Sequence, residues 1–380
     1  MIQPAKRLDS VQEYYFSKKL REVRGLVAAG KPIINMGIGS PDLQPPENVL
    51  VAISESLNDA NAHKYQSYQG LPELRAAISE FYNSKFAVNT NPENEVLPLM
   101  GSKEGIMHIS MAFLNEGDKV LIPNPGYPTY TSVTKLVGAE PLFYKLGEEQ
   151  NWQPDFNALE NEDLSDVKLM WVNYPHMPTG TNATLETFKK LVAFGKKHNI
   201  LIINDNPYSF ILNDNPISIL QVAGAKDIAL ELNSLSKTFN MAGWRVGMLL
   251  GNSTYINEVL KVKSNMDSGM FYGIQKGAIK ALQLSDKWFQ DQNKIYEERR
   301  KLVWQLANKL NAKYDKNAKG LFVWAKIPEG KKAEEITDSV LYDKDIFITP
   351  GSIFGSQGEG YIRFSLCVSE VVITEAISRF

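Results

Sequence analysis

Cysteine is nearly absent from this chain of 380 residues, since Cys367 is its one thiol. A single cysteine cannot form a disulfide within the chain, so the sequence excludes a disulfide-stapled scaffold and fits a reducing compartment. The first residues also lack the apolar core of a signal peptide. On these grounds we expect a cytoplasmic protein.

Strong net charge and long apolar runs are absent as well. Lys and Arg number 41 against 43 Asp and Glu, which leaves a formal net charge of -2. This balance gives no electrostatic reason to bind nucleic acid or an anionic membrane surface. No apolar run approaches the roughly 20 residues that a membrane-spanning helix needs. We therefore expect no nucleic-acid partner and no membrane partner, and small molecules as substrates.

Short apolar segments alternate with amphipathic ones from residue 96 onward. This alternation predicts an α/β fold with a mainly parallel sheet flanked by helices. The expected strands are 96–100, 119–122, 169–172, 200–203, 228–232 and 246–250. A helix over 8–30, a strand over 33–36, a long helix over 286–311 and strands over 321–327 and 361–366 are also predicted. We expect a large domain over 45–270 and a smaller α+β domain built from 1–44 and 271–380.

Ligands of parallel sheets bind where the strands end, so the loops after these strands are the places to search. Lys237 lies three residues after Ser234 and eight before Arg245, between two apolar segments. A partly desolvated lysine near other cations loses proton affinity and becomes a nucleophile toward a carbonyl. Lys237 is therefore a candidate Schiff-base lysine. The alternative is an ordinary polar turn with a solvated lysine.

Two further strand ends carry polar groups. Ser102 and Lys103 follow Gly101 where a helix opens, and free N–H groups at such a place suit a phosphate. The alternative there is a tight turn without a ligand. Asp205 ends another strand three residues before Tyr208, and a buried carboxylate at that position needs a cationic partner. The alternative for Asp205 is a helix N-cap.

Taken in order, these motifs resemble the class I and II aminotransferases of the fold-type I pyridoxal-phosphate enzymes, over nearly the whole chain. The resemblance implies that Lys237 forms the internal aldimine, that Asp205 pairs with the pyridinium nitrogen, and that Tyr208 hydrogen-bonds the ring hydroxyl of pyridoxal 5'-phosphate. It also implies a homodimer in which Tyr65 reaches the phosphate of the other subunit. The other cofactor contacts that it implies are Ser102, Lys103, Tyr127, Asn173, Ser234 and Arg245.

The substrate contacts are also implied by the resemblance. Arg363 matches the arginine that holds the α-carboxylate, and Gly39 matches a backbone contact to the same group. Without the family, Arg363 would be interpreted as an exposed surface charge, because it occupies a polar position in a strand where polar and apolar residues alternate. One motif departs from the family pattern, because Met177 stands where an asparagine usually donates to the ring oxygen. Either that bond is missing, or His176 or Asn173 supplies it.

The resemblance predicts transfer of an amino group between an L-amino acid and a 2-oxo acid. A carbon–sulfur β-lyase with the same cofactor is the nearest alternative. A regulatory protein on this fold would carry a DNA-binding extension or lack the lysine, and a nicotinamide dehydrogenase would carry a G-x-G-x-x-G motif after its first strand. No metal site is predicted. The residues suggested for the side-chain pocket are Tyr14, Tyr15, Phe16, Ile38, Asn265 and Met270.

Overall fold

The computed structural model describes residues 2–11 and 13–380. In chain order its α-helices are α1 (Tyr15–Ala28), α2 (Glu47–Ser56), α3 (Pro72–Phe86), α4 (Ser102–Phe113), α5 (Pro128–Leu136), α6 (Phe156–Glu160), α7 (Leu185–His198), α8 (Leu235–Thr238), α9 (Ser253–Ser264), α10 (Tyr272–Leu282), α11 (Asp286–Lys309), α12 (Ala333–Lys344) and α13 (Glu370–Ser378).

The strands, likewise in chain order, are β1 (Ile34–Asn35), β2 (Val96–Leu99), β3 (Lys119–Asn124), β4 (Glu140–Lys145), β5 (Val167–Val172), β6 (Leu201–Asp205), β7 (Ala229–Ser234), β8 (Gly247–Gly251), β9 (Lys313–Tyr314), β10 (Phe322–Lys326), β11 (Ile346–Phe347), β12 (Thr349–Pro350) and β13 (Tyr361–Ser365). Within the described residues, no helix is long and apolar enough to cross a membrane.

A seven-stranded sheet in the order β2-β8-β7-β6-β5-β3-β4 forms the centre of the chain. Its strands are parallel except β8, which runs antiparallel to both of its neighbours. Strands β5, β6 and β7 are buried along nearly their whole length, as their apolar sequences predict for strands covered on both faces. The α/β fold with a mainly parallel sheet is thereby confirmed.

Two smaller sheets involve the ends of the chain. Strands β12, β13, β10 and β9 form an antiparallel sheet, and β1 pairs in parallel with β11. The pairing of β1 with β11 joins the N-terminal segment to the C-terminal part of the chain. It supports a small domain built from both ends, and we retain the division 1–44 and 271–380 against 45–270 as a proposal.

The N-terminal helix is shorter than the sequence indicated. Helix α1 spans Tyr15–Ala28, so the predicted helix over 8–30 is wrong for residues 8–11, 13 and 14 and for residues 29 and 30. A tyrosine at the N-cap cannot bond the free N–H groups of the first turn, and Tyr14 packs against Phe16 instead, with ring centroids 5.6 Å apart. The irregular backbone before α1 lets Tyr14 reach the cavity described below.

Candidate active site

One cavity of about 490 Å³ lies at the edge of the seven-stranded sheet where the parallel strands end. All but one of the site residues predicted from the sequence line it: Gly39, Ser102, Lys103, Tyr127, Asn173, Asp205, Tyr208, Ser234, Lys237, Arg245 and Arg363. Tyr65 is the exception, since it does not line the cavity and its side chain is 90% exposed. The loops after β3, β5, β6 and β7 and the start of α4 thus converge on one space.

Lys237 lies in the short helix α8, directly after β7. Its ammonium donates a hydrogen bond to the carbonyl oxygen of Gly39. Burial lowers the pKa of Lys237; the neighbouring Cys367 raises it, and the positive charges of Arg363 and Arg245 lower it further. The solvated turn considered above is therefore wrong, and Lys237 is a lysine whose amine is made more available as a nucleophile.

Asp205 is the last residue of β6, and its side chain is buried. Its Oδ2 accepts a hydrogen bond of 2.9 Å from the hydroxyl of Tyr130, whereas its Oδ1 has no hydrogen-bond partner among the described residues. Burial raises the pKa of Asp205 to about 7, and the bond from Tyr130 acts against this rise. Because neither Oδ1 nor Oδ2 accepts a hydrogen bond from a backbone N–H of the described residues, the N-cap interpretation is wrong. This oxygen is free for a cationic donor.

The start of α4 and the loop before β8 form a positively charged corner. Gly101 has φ +90, and a Cβ at this position would overlap the guanidinium of Arg245. Arg245 itself has φ +56, a left-handed conformation that is uncommon for a residue with a side chain. Its Nη1 donates to the carbonyl oxygen of Ala242 at 2.9 Å and to Oγ of Ser236 at 3.4 Å. N–H groups, hydroxyls and a guanidinium in one corner favour an anion.

Arg363 lies on β13 and is 3% exposed, so its interpretation as a surface charge is wrong. Its Nη2 donates to the carbonyl oxygen of Gly37 at 2.7 Å, and Nε has no partner among the described residues. No carboxylate of residues 2–11 or 13–380 lies within ion-pair distance of it. Burial lowers the pKa of Arg363 to about 10, which leaves the guanidinium charged at neutral pH. The aromatic rings around it are Phe322, Phe354 and Phe16.

Met177 contacts this arginine directly, with its Sδ 3.3 Å from Nη1 of Arg363. Asn173 lines the cavity, but its amide donates to the backbone oxygen of Asp205 and its side-chain oxygen accepts from the backbone N–H of Met177 at 2.8 Å. His176 does not line the cavity, and its Nδ1 lies 2.8 Å from the hydroxyl of Thr179. His176 therefore lies outside the cavity, whereas Asn173 lines it and has a second amide hydrogen beyond the one that it gives to Asp205.

The pocket residues suggested from the sequence divide into two groups. Tyr14, Phe16 and Ile38 line the cavity. Tyr15, Asn265 and Met270 do not line the cavity formed by this chain. The residues that line the cavity and escaped sequence reasoning include Tyr130, Phe322 and Phe354.

Tyr130 had a detectable signal, because it follows Tyr127 by three residues at the start of α5. Residues three apart lie on one face of a helix, so a functional Tyr127 directs attention to Tyr130. Phe322 and Phe354 had no such signal. They come from β10 and from the loop after β12, and only the folded structure brings them to Arg363.

A family model described as "Aminotransferase class I and II" matches residues 31–380. The LL-diaminopimelate aminotransferase of Dehalococcoides mccartyi (strain ATCC BAA-2266 / KCTC 15142 / 195) is 40% identical, with 99% of this chain and 97% of the relative covered. The LL-diaminopimelate aminotransferase of Aquifex aeolicus (strain VF5) is 39% identical, over 100% of this chain and 98% of the relative. Neither relative is named as a carbon–sulfur lyase.

Solved structures give the same result for the fold. The apo-BacF structure from Bacillus subtilis superposes with a TM-score of 0.96 at 35% identity, covering 100% of this chain and 98% of that one. An alanine aminotransferase from Pyrococcus furiosus superposes with a TM-score of 0.91 at 27% identity, covering 100% and 98% of the two chains. In both comparisons the likeness covers the whole of this chain.

Proposed function

Because the chain belongs to the class I and II aminotransferases, it is a pyridoxal-phosphate-dependent aminotransferase, and we propose that Lys237 is the residue that binds the cofactor covalently. The observation that carries this proposal is one shared cavity. It holds an amine with a lowered pKa and a buried carboxylate oxygen without a partner, together with an anion-binding corner.

The ring of the cofactor fits the groups on one side of this cavity. Asp205 Oδ1 needs a cationic donor, and a protonated ring nitrogen is one. Tyr127 lines the cavity near Asp205, whose negative charge contributes to the raised pKa of the Tyr127 phenol, though burial is the larger cause. We propose that Tyr127 covers the ring face and that Tyr208 donates to the ring oxygen.

The phosphate fits the positively charged corner. We propose that it binds the backbone N–H groups of Ser102 and Lys103, the hydroxyls of Ser234 and Ser236, and the guanidinium of Arg245. The helix that starts at Ser102 has twelve residues, so its N-terminus has the dipole of a full helix. The close approach of Arg245 to Gly101 supports this arrangement, because only glycine leaves room for it.

When bound, pyridoxal phosphate carries the amino group and stabilises the carbanion at the substrate Cα. Asp205 keeps the proton on the ring nitrogen, since its Oδ1 is buried and its Oδ2 is held by Tyr130. The amine of Lys237, with its lowered proton affinity, would take the proton from Cα of the amino acid and deliver it to the cofactor carbon that carries the nitrogen, and the second half of the reaction would run the same transfer in reverse. Gly39 holds this amine in place through its carbonyl oxygen.

Arg363 binds the substrate α-carboxylate in this proposal. It is a buried cation with a free Nε and, among the residues described, without an acidic partner. A guanidinium matches a carboxylate with two parallel hydrogen bonds, and burial makes such a pair strong. The aromatic rings around it restrict its position.

For the amino donor we propose LL-diaminopimelate, with a 2-oxo acid as acceptor. The relatives at about 40% identity over the whole chain support this donor by their names. The cavity supports it independently, because the ammonium of Lys103 lies 4.7 Å from the ring centre of Tyr14. Tyr14 in turn lies near Arg363, whose charge affects its pKa. The cavity thus offers two cations to a donor with two carboxylates.

A donor screen with 2-oxoglutarate as acceptor tests this assignment. We expect kcat/KM for LL-diaminopimelate to exceed that for L-lysine, which has the same chain length to the distal amine but one carboxylate. L-alanine and L-aspartate complete the series. Comparable values for all donors, or no turnover of LL-diaminopimelate beside turnover of another donor, would refute the donor assignment and leave the aminotransferase activity intact.

We also propose a homodimer in which Tyr65 completes the partner's phosphate site. Tyr65 and Tyr68 lie in one loop, and the backbone of this loop packs against Gly269. Met266 and Phe271, close to Gly269 in the chain, are exposed as well. Exposed apolar side chains grouped in this way mark an interaction surface more often than a free one.

Mixing two inactive variants tests the dimer. Lys237→Ala lacks the lysine and Tyr65→Ala lacks the phenol, but a mixed dimer contains one site with both groups. After refolding together, the mixture should regain roughly one quarter of the wild-type activity, because half of the dimers are mixed and each has one intact site. No recovery in a mixture that sediments as a dimer would contradict the role of Tyr65.

For the compartment, we retain the cytoplasm as a proposal. The one thiol, Cys367, is buried and has no sulfur partner in the chain. A single thiol that cannot form a disulfide within the chain fits a reducing compartment.

A further inference from the structure

Glu231 is a fully buried carboxylate at the centre of the seven-stranded sheet, on β7. Its Oε1 accepts hydrogen bonds from the hydroxyl of Tyr82 at 3.0 Å and from Nδ2 of Asn206 at 3.1 Å. Its Oε2 accepts from Nδ2 of Asn204 at 3.2 Å and from the backbone N–H of Ile219 at 3.0 Å. All four donors are uncharged, and no Lys, Arg or His of the described chain forms an ion pair with it.

These bonds describe a carboxylate anion. An ionised carboxylate offers about four acceptor sites, and four donors occupy them. Burial raises the pKa of Glu231, and the hydrogen bonds from Asn206, Asn204 and Ile219 oppose the rise. An apolar residue would be less costly at such a position. The carboxylate is therefore explained better by what it holds in place than by a gain in stability.

One part of the hydrogen-bond network around Glu231 fixes the residues that precede and follow Asp205 in the chain. Asn204 and Asn206 are its chain neighbours, and side chains alternate along a strand, so both asparagines leave the backbone on the side opposite to Asp205. Asn204 also accepts from the backbone N–H of Tyr174 at 3.2 Å, and Asn206 accepts from the hydroxyl of Ser209. With both neighbours fixed to Glu231, the backbone at Asp205 cannot rotate without breaking these bonds.

The other half of the network reaches the phosphate corner. Nδ2 of Asn233 donates to the hydroxyl of Tyr82 at 3.0 Å, and Oδ1 of Asn233 accepts from the backbone N–H of Ser234 at 2.7 Å. Ser234 lines the cavity, and Lys237 follows three residues later. A continuous chain of hydrogen bonds therefore joins the segment of Asp205 to the end of β7.

We propose that Glu231 is a positioning residue that fixes the backbone of Asp205 and of Ser234 relative to each other. It thereby fixes the distance and orientation between the groups that bind the cofactor ring and those that bind its phosphate. The inference rests on the proposed function of this site. Glu231 does not line the cavity, so it is not placed to touch substrate or cofactor. It acts through the asparagines and Tyr82.

The test uses the holoenzyme of Glu231→Gln, in which an NH₂ group replaces one oxygen and opposes the donors on that side. We expect a shift of the pH midpoint in the visible absorbance titration of the bound cofactor, and a fall in kcat of between roughly tenfold and a hundredfold with KM for the donor nearly unchanged. Leu230→Ala is the matched control, because Leu230 is equally buried on the same strand. It should lower the melting temperature without moving the titration.

A double variant separates positioning from simple destabilisation. If Glu231 acts through Asp205, then Glu231→Gln should lower kcat in the wild type and add little to the loss in Asp205→Asn. Losses that multiply in the double variant, or an unmoved titration in Glu231→Gln, would overturn the proposal. In that case borohydride reduction of the holoenzyme should still attach the pyridoxyl group to Lys237. The proposed function is contradicted by a different result, the absence of that label from Lys237.

Tyr82→Phe serves if Glu231→Gln does not fold. It leaves the carboxylate and three of its donors in place but cuts the link to Asn233. We expect faster loss of the cofactor on dilution with a smaller change in the absorbance titration, since the link to Ser234 is broken and that to Asp205 remains. Wild-type cofactor retention in a folded Tyr82→Phe protein would contradict the link to the phosphate corner.

Discussion

The hydroxyl of Tyr130 donates to Oδ2 of Asp205 at 2.9 Å, and the ring of Tyr130 stacks on Trp171 with centroids 4.9 Å apart. The stack leaves Tyr130 one orientation, so the carboxylate is held on one oxygen and exposes the other. This pair gives the site a carboxylate whose direction is fixed before any ligand arrives.

Tyr130→Phe should therefore impair the enzyme. The pKa of Asp205 should rise further because the bond from Tyr130 lowers it, and cofactor retention and kcat should fall by roughly tenfold to a hundredfold, since a hydrogen bond to a charged group typically contributes about 1.5–3 kcal/mol. Steady-state kinetics and dilution-induced cofactor loss measure both. Tyr144→Phe is the control, since its hydroxyl is also buried and donates to the backbone oxygen of Trp171. Equal losses in the two variants would contradict the role of Tyr130.

Asp205 should also make the stability of the cofactor-free protein depend on pH. The folded protein holds this proton up to about pH 7, whereas an ordinary aspartate releases it near 3.8. Between these values the folded state binds more protons than the unfolded state, so the free energy of unfolding contributed by Asp205 falls as pH rises. In urea unfolding, the free energy of unfolding of Asp205→Asn should rise relative to that of the wild type as the pH increases across this range. A difference that does not change with pH would refute the raised pKa.

Met177→Asn restores the donor that the family pattern contains. A donor to the ring oxygen weakens its attraction for the neighbouring iminium proton, so the pH midpoint of the cofactor absorbance should fall by about one unit or less. His176→Ala is the control and should leave the midpoint unchanged, because His176 lies outside the cavity. A raised midpoint in Met177→Asn, or no shift there beside a large shift in His176→Ala, would show that the bond is already made.

Substitutions at Arg363 and at Lys103 should change KM for different sets of amino donors. Arg363→Lys should raise KM strongly for every amino donor, because a point charge replaces a two-bond clamp. Lys103→Gln should raise KM for LL-diaminopimelate and leave KM for L-alanine nearly unchanged. Steady-state kinetics with both donors measure the difference. An equal change of KM for both donors in Lys103→Gln would assign this side chain to the cofactor instead of the substrate.

Much of the site was predictable because it follows strand ends. Asp205, Ser234 and Lys237 come directly after buried apolar segments, and a parallel sheet brings such positions together. Strand β4 escaped prediction, since its residues are only partly buried and it lies at the edge of the sheet. The position of Arg363 was not predictable from its strand, because burial of a charge depends on rings that only the tertiary structure supplies.

The most direct test of the account is the identity of the lysine that carries the cofactor. Borohydride reduction of the holoenzyme, followed by proteolysis and mass spectrometry, should place the pyridoxyl group on Lys237, and Lys237→Ala should lose both the label and turnover while its melting temperature stays close to that of the cofactor-free wild type. A pyridoxyl group on another lysine, or turnover beyond a trace in Lys237→Ala, would contradict the assignment.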